Sequence, residues 1–215
     1  DQGALVRDYV KWDDQPASPE AAIESVLRAN RIMRRQPKGP VYVVLDVAMQ
    51  ESNLDPVPAI PDVARYDVEP DPVPTPGSVV EAVEMMKSAK SLLIFAGRVS
   101  RNQDDWDRRI AFAEALGAQV ITNQRTAAAF PTHHPLHPNH LNYRTTADDE
   151  ALIRGADVIL NLDWLDFGGT LQTVGDVQAK IISVSMDDLN SNGWSFDSHK
   201  LPPVDLPILA TPDSF

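Results

Sequence analysis

The chain has 215 residues, 43% of them hydrophobic, and 31 acidic against 19 basic side chains give a net charge of -12. That excess argues against a phosphate-backbone or anionic-lipid binder, which needs a basic face. With no cysteine, disulfides, thiolate zinc sites and cysteine nucleophiles are excluded. No apolar run reaches the roughly 18 residues that span a bilayer, and no segment of the sequence reads as a signal peptide. The expectation is therefore a soluble, cytoplasmic protein, and an opening at Asp1 without a methionine reads as a piece of something longer.

The first helix signal is Ser18-Pro19-Glu20, with serine as N-cap, proline at the first helical position and glutamate near the positive dipole end. Ala22, Ile23, Val26, Leu27, Ile32 and Met33 recur at helical spacing up to the stop at Pro37-Lys38-Gly39-Pro40. Val41-Tyr42-Val43-Val44-Leu45 is then a continuous apolar run, the pattern of a strand buried on both faces of a parallel sheet. Nothing upstream reads as its partner, so this orphan helix and strand are expected to end a larger α/β domain. The alternative is that Val41–Leu45 joins the downstream sheet. Seven of the 18 prolines fall between Pro56 and Pro76, which predicts an extended, semi-rigid connector.

After Pro76 strands and helices alternate. A helix carries Val79, Val80, Ala82, Val83, Met86 and Ala89, and Ser91–Gly97 is the first strand of this part. A second helix carries Trp106, Ile110, Phe112, Ala113 and Leu116 and stops at Gly117; Gln119–Asn123 is the second strand. A loop rich in proline and histidine leads to a helix around Ala147–Arg154. Strands follow at Asp157–Asp163 and Lys180–Ser185, with Pro207–Ala210 as an edge strand. Such alternation predicts a doubly wound parallel sheet, Rossmann-like, with helices on both faces. The predicted organisation is 1–50 as the end of an incomplete domain, 51–76 as linker and 77–212 as the α/β domain.

Ligands in open parallel sheets bind beyond the carboxyl ends of the strands, which selects candidates without any motif. Gly97 permits a tight turn whose N–H groups could receive a phosphate, with Arg98 and Arg101 adding charge-assisted bonds; the alternative is a turn glycine beside exposed arginines. Asn123 and Arg125 follow the second strand. Asp163 and Asp187 end the next two strands, where each could hold a ribose hydroxyl pair, cap a helix or face solvent. Gly168-Gly169 permits close approach of the backbone, either to a ligand or to a neighbouring strand. His133, His134, His137 and His140 resemble metal spacing, but Pro131, Pro135 and Pro138 prevent an i, i+4 helical ligand pair. The chain has neither a G-x-S-x-G elbow nor a P-loop, and no defensible nucleophile or general base.

These segments in this order resemble the thiamine diphosphate-dependent enzyme family of acetolactate synthase, benzoylformate decarboxylase and pyruvate decarboxylase. Gly39-Pro40-Val41-Tyr42-Val43-Val44-Leu45-Asp46 looks like the close of the pyrimidine-binding domain, although Asp46 stands where proline is commoner. Leu93–Arg98, Leu116–Thr122, Phe130–His137 and Ala156–Leu160 resemble the central domain. The resemblance implies an enzyme acting on 2-keto acids or related carbonyl substrates, by carboligation or decarboxylation, with thiamine diphosphate and Mg²⁺ held outside this chain. The glutamate that activates the cofactor would lie upstream. The metal motif Gly-Asp-Gly would lie downstream, since Gly175-Asp176 is followed by Val177, and Asn190 and Asn192 come too early. Catalytic residues are thus expected to be absent here, and the partners to be the remaining domains and further subunits, with no nucleic acid or membrane. Some relatives hold FAD or ADP in the central domain; a vestigial site would use Gly97, Arg98, Asn123, Arg125, Asp163 and Asp187, but an empty site is the first expectation. The alternative function is a self-contained nucleotide-binding sensor or interaction module.

Overall fold

The structure, a computed structural model, describes residues 2–138, 142–187, 198 and 200–215. The chain divides into two compact units, one within Asp1–Asp71, the other comprising Pro72–Asp187 and the described residues of Ser195–Phe215. No helix among the described residues is long and apolar enough to cross a membrane.

In the first unit α1 (Pro19–Arg34) begins as the sequence predicts. The Ser18 side chain accepts from the Ala21 N–H at 3.2 Å, and Pro19 takes the first turn. The run after it forms β2 (Val41–Val43), and here the structure corrects the sequence reading. A strand does lie upstream, β1 (Trp12–Asp14), which pairs with β2 in parallel, Trp12 opposite Val41 and Asp14 opposite Val43. Trp-Asp-Asp carries neither a β-branched residue nor an alternating pattern, so it gives no strand signal. Nor does β2 join the downstream sheet: β1 and β2 form a sheet of their own. With one neighbour rather than two covered faces, β2 is only half-buried and Leu45 is exposed. A short helix, α2 (Val47–Glu51), is started by the Asp46 side chain, which accepts from the Ala48 N–H at 2.9 Å. The proline-rich stretch is extended apart from one 3-10 turn at Val63–Tyr66. Arg34 bonds to Asp67 at 2.8 Å and Arg35 pairs with Glu69, tying that stretch to α1.

The second unit is the doubly wound sheet. Its elements are α3 (Pro76–Ser88), β3 (Leu92–Ala96), α4 (Gln103–Leu116), β4 (Gln119–Ile121), α5 (Ala147–Gly155), β5 (Val158–Leu162), α6 (Phe167–Val174), β6 (Lys180–Val184) and β7 (Leu206–Ile208). All strands are parallel, in the order β4-β3-β5-β6-β7. The inner strands β3, β5 and β6 run largely apolar because both faces are covered; the amide of Asn161 in β5 donates to Ser183 Oγ of β6 at 2.9 Å. On one face Ile94, Val120, Leu160 and Ile182 pack with Ala82 and Met86 of α3 and Ala113 of α4. On the other, Phe95, Ile121, Ile159 and Ile181 pack with Ile153 of α5 and Phe167 and Leu171 of α6. Helix α6 was not predicted; its Gly-Gly reads as a loop, and burial of five of its eight residues overrides that weak propensity.

Local chemistry sets the helix ends. Asn102 accepts from the Asp104 N–H at 2.8 Å to start α4, and Gly117 closes it with a φ of 60°, as a left-handed C-cap requires. Thr146 and Asp149 form a reciprocal capping box on α5. At the sheet's edges, the Val120 N–H of β4 donates to the Leu136 carbonyl at 2.8 Å. Edge strand β7 carries Pro207 at its centre.

Phe95 is fully buried and edge-on to both Trp164 and Phe167, with ring centroids 5.0 and 5.2 Å away. Phe95→Ala should cost about 3–5 kcal/mol in a urea titration of the second unit. Val80→Ala, at a side chain 58% exposed, should stay within about 0.5 kcal/mol.

Candidate functional site

The order β4-β3-β5 makes the β3/β5 boundary the point where chain direction across the sheet reverses. In an ordinary doubly wound sheet the loops there part and leave a ligand crevice. Here they do not part. The Gly97 N–H donates to the Leu162 carbonyl and the Arg98 N–H to the Asp163 carbonyl, both at 3.0 Å, so the ladder continues beyond the strands. A β-carbon on Gly97 would lie 2.2 Å from the Asp163 carbonyl oxygen and 2.5 Å from Trp164 Cα. Gly97 therefore serves close approach of backbone to backbone.

Arg98 lies across this junction. Its Nε donates to Asp163 Oδ2 at 2.9 Å and its Nη2 to Asp163 Oδ1 at 3.0 Å, and Nη2 also bonds Asp187. Ser185 Oγ donates to Asp163 Oδ1 at 2.6 Å and accepts from the Asp187 N–H at 3.0 Å. Burial opposes the arginine's charge, but the charges of Asp163 and Asp187 and their hydrogen bonds outweigh it and hold its pKa above the ordinary value. Two carboxylates face one guanidinium. Asp163 is buried, with a φ of 55°, a left-handed backbone unusual outside glycine.

The loop after β5 is held equally firmly. The Trp164 N–H donates to Asn161 Oδ1 at 2.8 Å and its indole N–H to Thr170 Oγ1 at 3.0 Å. Asp166, also left-handed at φ 55°, accepts from the Ser198 N–H at 3.0 Å. The close approach at Gly168 is neither to a ligand nor to a strand but to the backbone ahead of β7: its β-carbon would lie 1.8 Å from the Lys200 carbonyl oxygen.

The other two candidates lie elsewhere at this end of the sheet. Asn123 and Arg125 line a cavity of about 240 Å³ together with Thr122, Arg144, Asp149 and Trp164. The Arg125 N–H donates to Asn123 Oδ1 at 2.9 Å, and the guanidinium sits 4.4 Å from the Tyr143 ring centroid, a cation–π contact. Thus Gly97, Arg98, Asp163 and Asp187 come together at one junction, and Asn123 and Arg125 at a cavity those four do not line. Sequence reasoning missed Asp149, whose only signal was its place three residues after Thr146 in the capping box.

His134 Nε2 is 3.2 Å from Glu114 Oε1. His137 Nε2 is 2.8 Å from Thr122 Oγ1, and its ring stacks on Phe130. His140 lies outside the described residues. Burial lowers the His137 pKa below the ordinary imidazole value, more than neighbouring groups raise it.

A family model described as "Thiamine pyrophosphate enzyme, central domain" matches residues 79–213. Sulfoacetaldehyde acetyltransferase of Alcaligenes xylosoxydans xylosoxydans is 36% identical over 118 residues, covering 53% of this chain and 20% of that protein. Among solved structures, benzoylformate decarboxylase from Polynucleobacter necessarius superposes with a TM-score of 0.69 at 27% identity, over 95% of this chain and 37% of that one. A Mycobacterium smegmatis protein described as a candidate thiamin diphosphate-dependent enzyme gives a TM-score of 0.74 at 20% identity, over 100% of this chain and 39% of that one. The chain thus spans less than two-fifths of each relative.

Gly97→Ala should lose about 1–3 kcal/mol or more through overpacking. Gly77→Ala, with no atom within 4 Å of the added carbon, should gain about 0.4–1 kcal/mol; urea midpoints of the two variants make the comparison. Because burial holds the His137 pKa below the unfolded value of about 6.5, its contribution is complete above that value and is lost as pH falls below it. Between pH 7.5 and 5.5 the urea midpoint should fall further in the parent than in His137→Gln.

Proposed function

Since the chain belongs to the thiamine pyrophosphate enzyme family, with the central domain at residues 79–213, we propose that it is the middle of a thiamine diphosphate- and Mg²⁺-dependent enzyme. In this reading the parent acts on 2-keto acids or related carbonyl substrates by decarboxylation or carboligation. The carrying observation is the central-domain match, together with relatives that include an acetyltransferase and a decarboxylase. The cofactor would supply the chemistry, as an electron sink for the carbanion formed next to the carbonyl.

The residues described here do not fit that cofactor. Gly175 and Asp176 lie between α6 and β6, at the opposite end of the sheet from the strands' carboxyl ends, and Asp176 Oδ1 accepts from Gln178 at 2.8 Å. Val177 stands where the metal motif has glycine, and Asn190 and Asn192 lie outside the described residues. Among the described residues no group of three or more His, Asp or Glu side chains could hold a metal. The role we assign to the central domain is architectural, bracing the cofactor-binding domains and the contacts between subunits of a homo-oligomer; what supports it is the central-domain match. Val47, Leu54, Val57, Ile60 and Val63 of the first unit are exposed, apolar surface that the remaining domains would cover. Asn123 and Arg125 at the cavity are where a vestigial nucleotide would lie, because Arg98 is already matched by two carboxylates.

The test compares the natural gene product with this 215-residue chain. The gene product should release thiamine diphosphate on denaturation and, with Mg²⁺, convert pyruvate, benzoylformate or sulfoacetaldehyde. The chain alone should do neither, and its melting temperature should not move with thiamine diphosphate and Mg²⁺. A gene product that neither carries nor uses the cofactor overturns the reading.

A further inference from the structure

We propose that Arg98, Asp163 and Asp187 form an internal clasp that closes the switch-point crevice of the central sheet to anionic ligands, so that this sheet is locked by its own guanidinium where a related fold is locked by a phosphate. The inference stands on the sheet and its ion pairs, and does not depend on the thiamine diphosphate reading. Three observations converge on it.

The first is steric. Gly97 and Asp163 flank the reversal of strand order, yet their backbones are hydrogen-bonded together, with no space for even a methyl group between them. A ligand cannot lie between these two backbones, so an anion drawn to this end of the sheet would have to be held from above the junction, by the Arg98 side chain.

The second is electrostatic. A phosphate at a strand end needs an available cation and unpaired N–H groups. The cation present, Arg98, is engaged in a two-pronged bond by Asp163 and by a further bond to Asp187. The N–H groups of Gly97 and Arg98 are spent on carbonyls across the junction. An incoming anion would have to compete with two carboxylates already bonded to that guanidinium, and Asp163, only 5% exposed, has little room to move aside.

The third is that the clasp spans the sheet. Arg98 follows β3, Asp163 follows β5 and Asp187 follows β6, with Ser185 bridging the two carboxylates. One side chain thus joins three strands at the end where a nucleotide would otherwise join them. Breaking a partly buried pair by removing one partner leaves the other charge uncompensated, so loss of any one member should destabilise the fold.

Inorganic pyrophosphate is the probe, with melting temperature and isothermal titration as readouts. Arg98→Met should melt several degrees below the parent, and neither protein should show an Arg98-dependent response to pyrophosphate. In Asp163→Asn/Asp187→Asn the released guanidinium should take up pyrophosphate, raising the melting temperature, and adding Arg98→Met should abolish that rise. If the double variant does not fold, Asp187→Asn alone, at a side chain 26% exposed, should show at least a tenfold tighter pyrophosphate affinity than the parent. The proposal is overturned if the parent binds pyrophosphate and Arg98→Met removes that binding. It is equally overturned if freeing the arginine gives no pyrophosphate response in either carboxylate variant.

Discussion

Two hydrogen bonds beyond the regular ladder govern the carboxyl end of the central sheet: Gly97 N–H to Leu162 and Arg98 N–H to Asp163. They hold together two loops that the strand order would otherwise let separate. Once the backbones touch, the residue after β3 must be glycine, and Asp163 after β5 takes a left-handed turn. Arg98 is then delivered onto Asp163 by the same geometry. The buried Phe95 beneath, wedged edge-on between Trp164 and Phe167, fixes the junction from the core side. Sterics, charge and packing thus act at one place and favour one closed arrangement.

The central sheet was legible because its physics is local and repetitive. Largely apolar runs at Leu92–Ala96, Val158–Leu162 and Lys180–Val184, broken only by Asn161, Lys180 and Ser183, alternate with helices whose ends are marked by Asn102, Gly117 and Thr146. Two elements escaped for different reasons. β1 is Trp-Asp-Asp, a strand only because β2 is there to receive it. α6 opens on Phe-Gly-Gly, and only burial against Phe95 and its neighbours makes it helical. Neither cause is visible in a window of neighbouring residues.

The site was legible in part. The rule that ligands gather beyond strand ends selected Gly97, Arg98, Asn123, Arg125, Asp163 and Asp187, but it could not say which face one another. A guanidinium and two carboxylates read alike in sequence whether they await a ligand or satisfy one another. Only the register, with Ala96 opposite Leu162 and Leu162 opposite Val184, brings Arg98, Asp163 and Asp187 side by side. The same register leaves Asn123 and Arg125 at the cavity. Membership of a thiamine-dependent family accords with a sheet whose chemistry-bearing residues are turned toward each other.

The edges of that sheet carry a consequence of their own. On the β4 side, the loop through Leu136 occupies the outer hydrogen-bonding position of Val120. On the β7 side, Pro207 has no N–H to offer a further strand. Both flanks are thus blunted against strand addition. Growth of this sheet into a neighbouring molecule is disfavoured, so any higher-order assembly must be built from side chains on helices and loops, and runaway fibre formation through this body is guarded against by its own covalent structure.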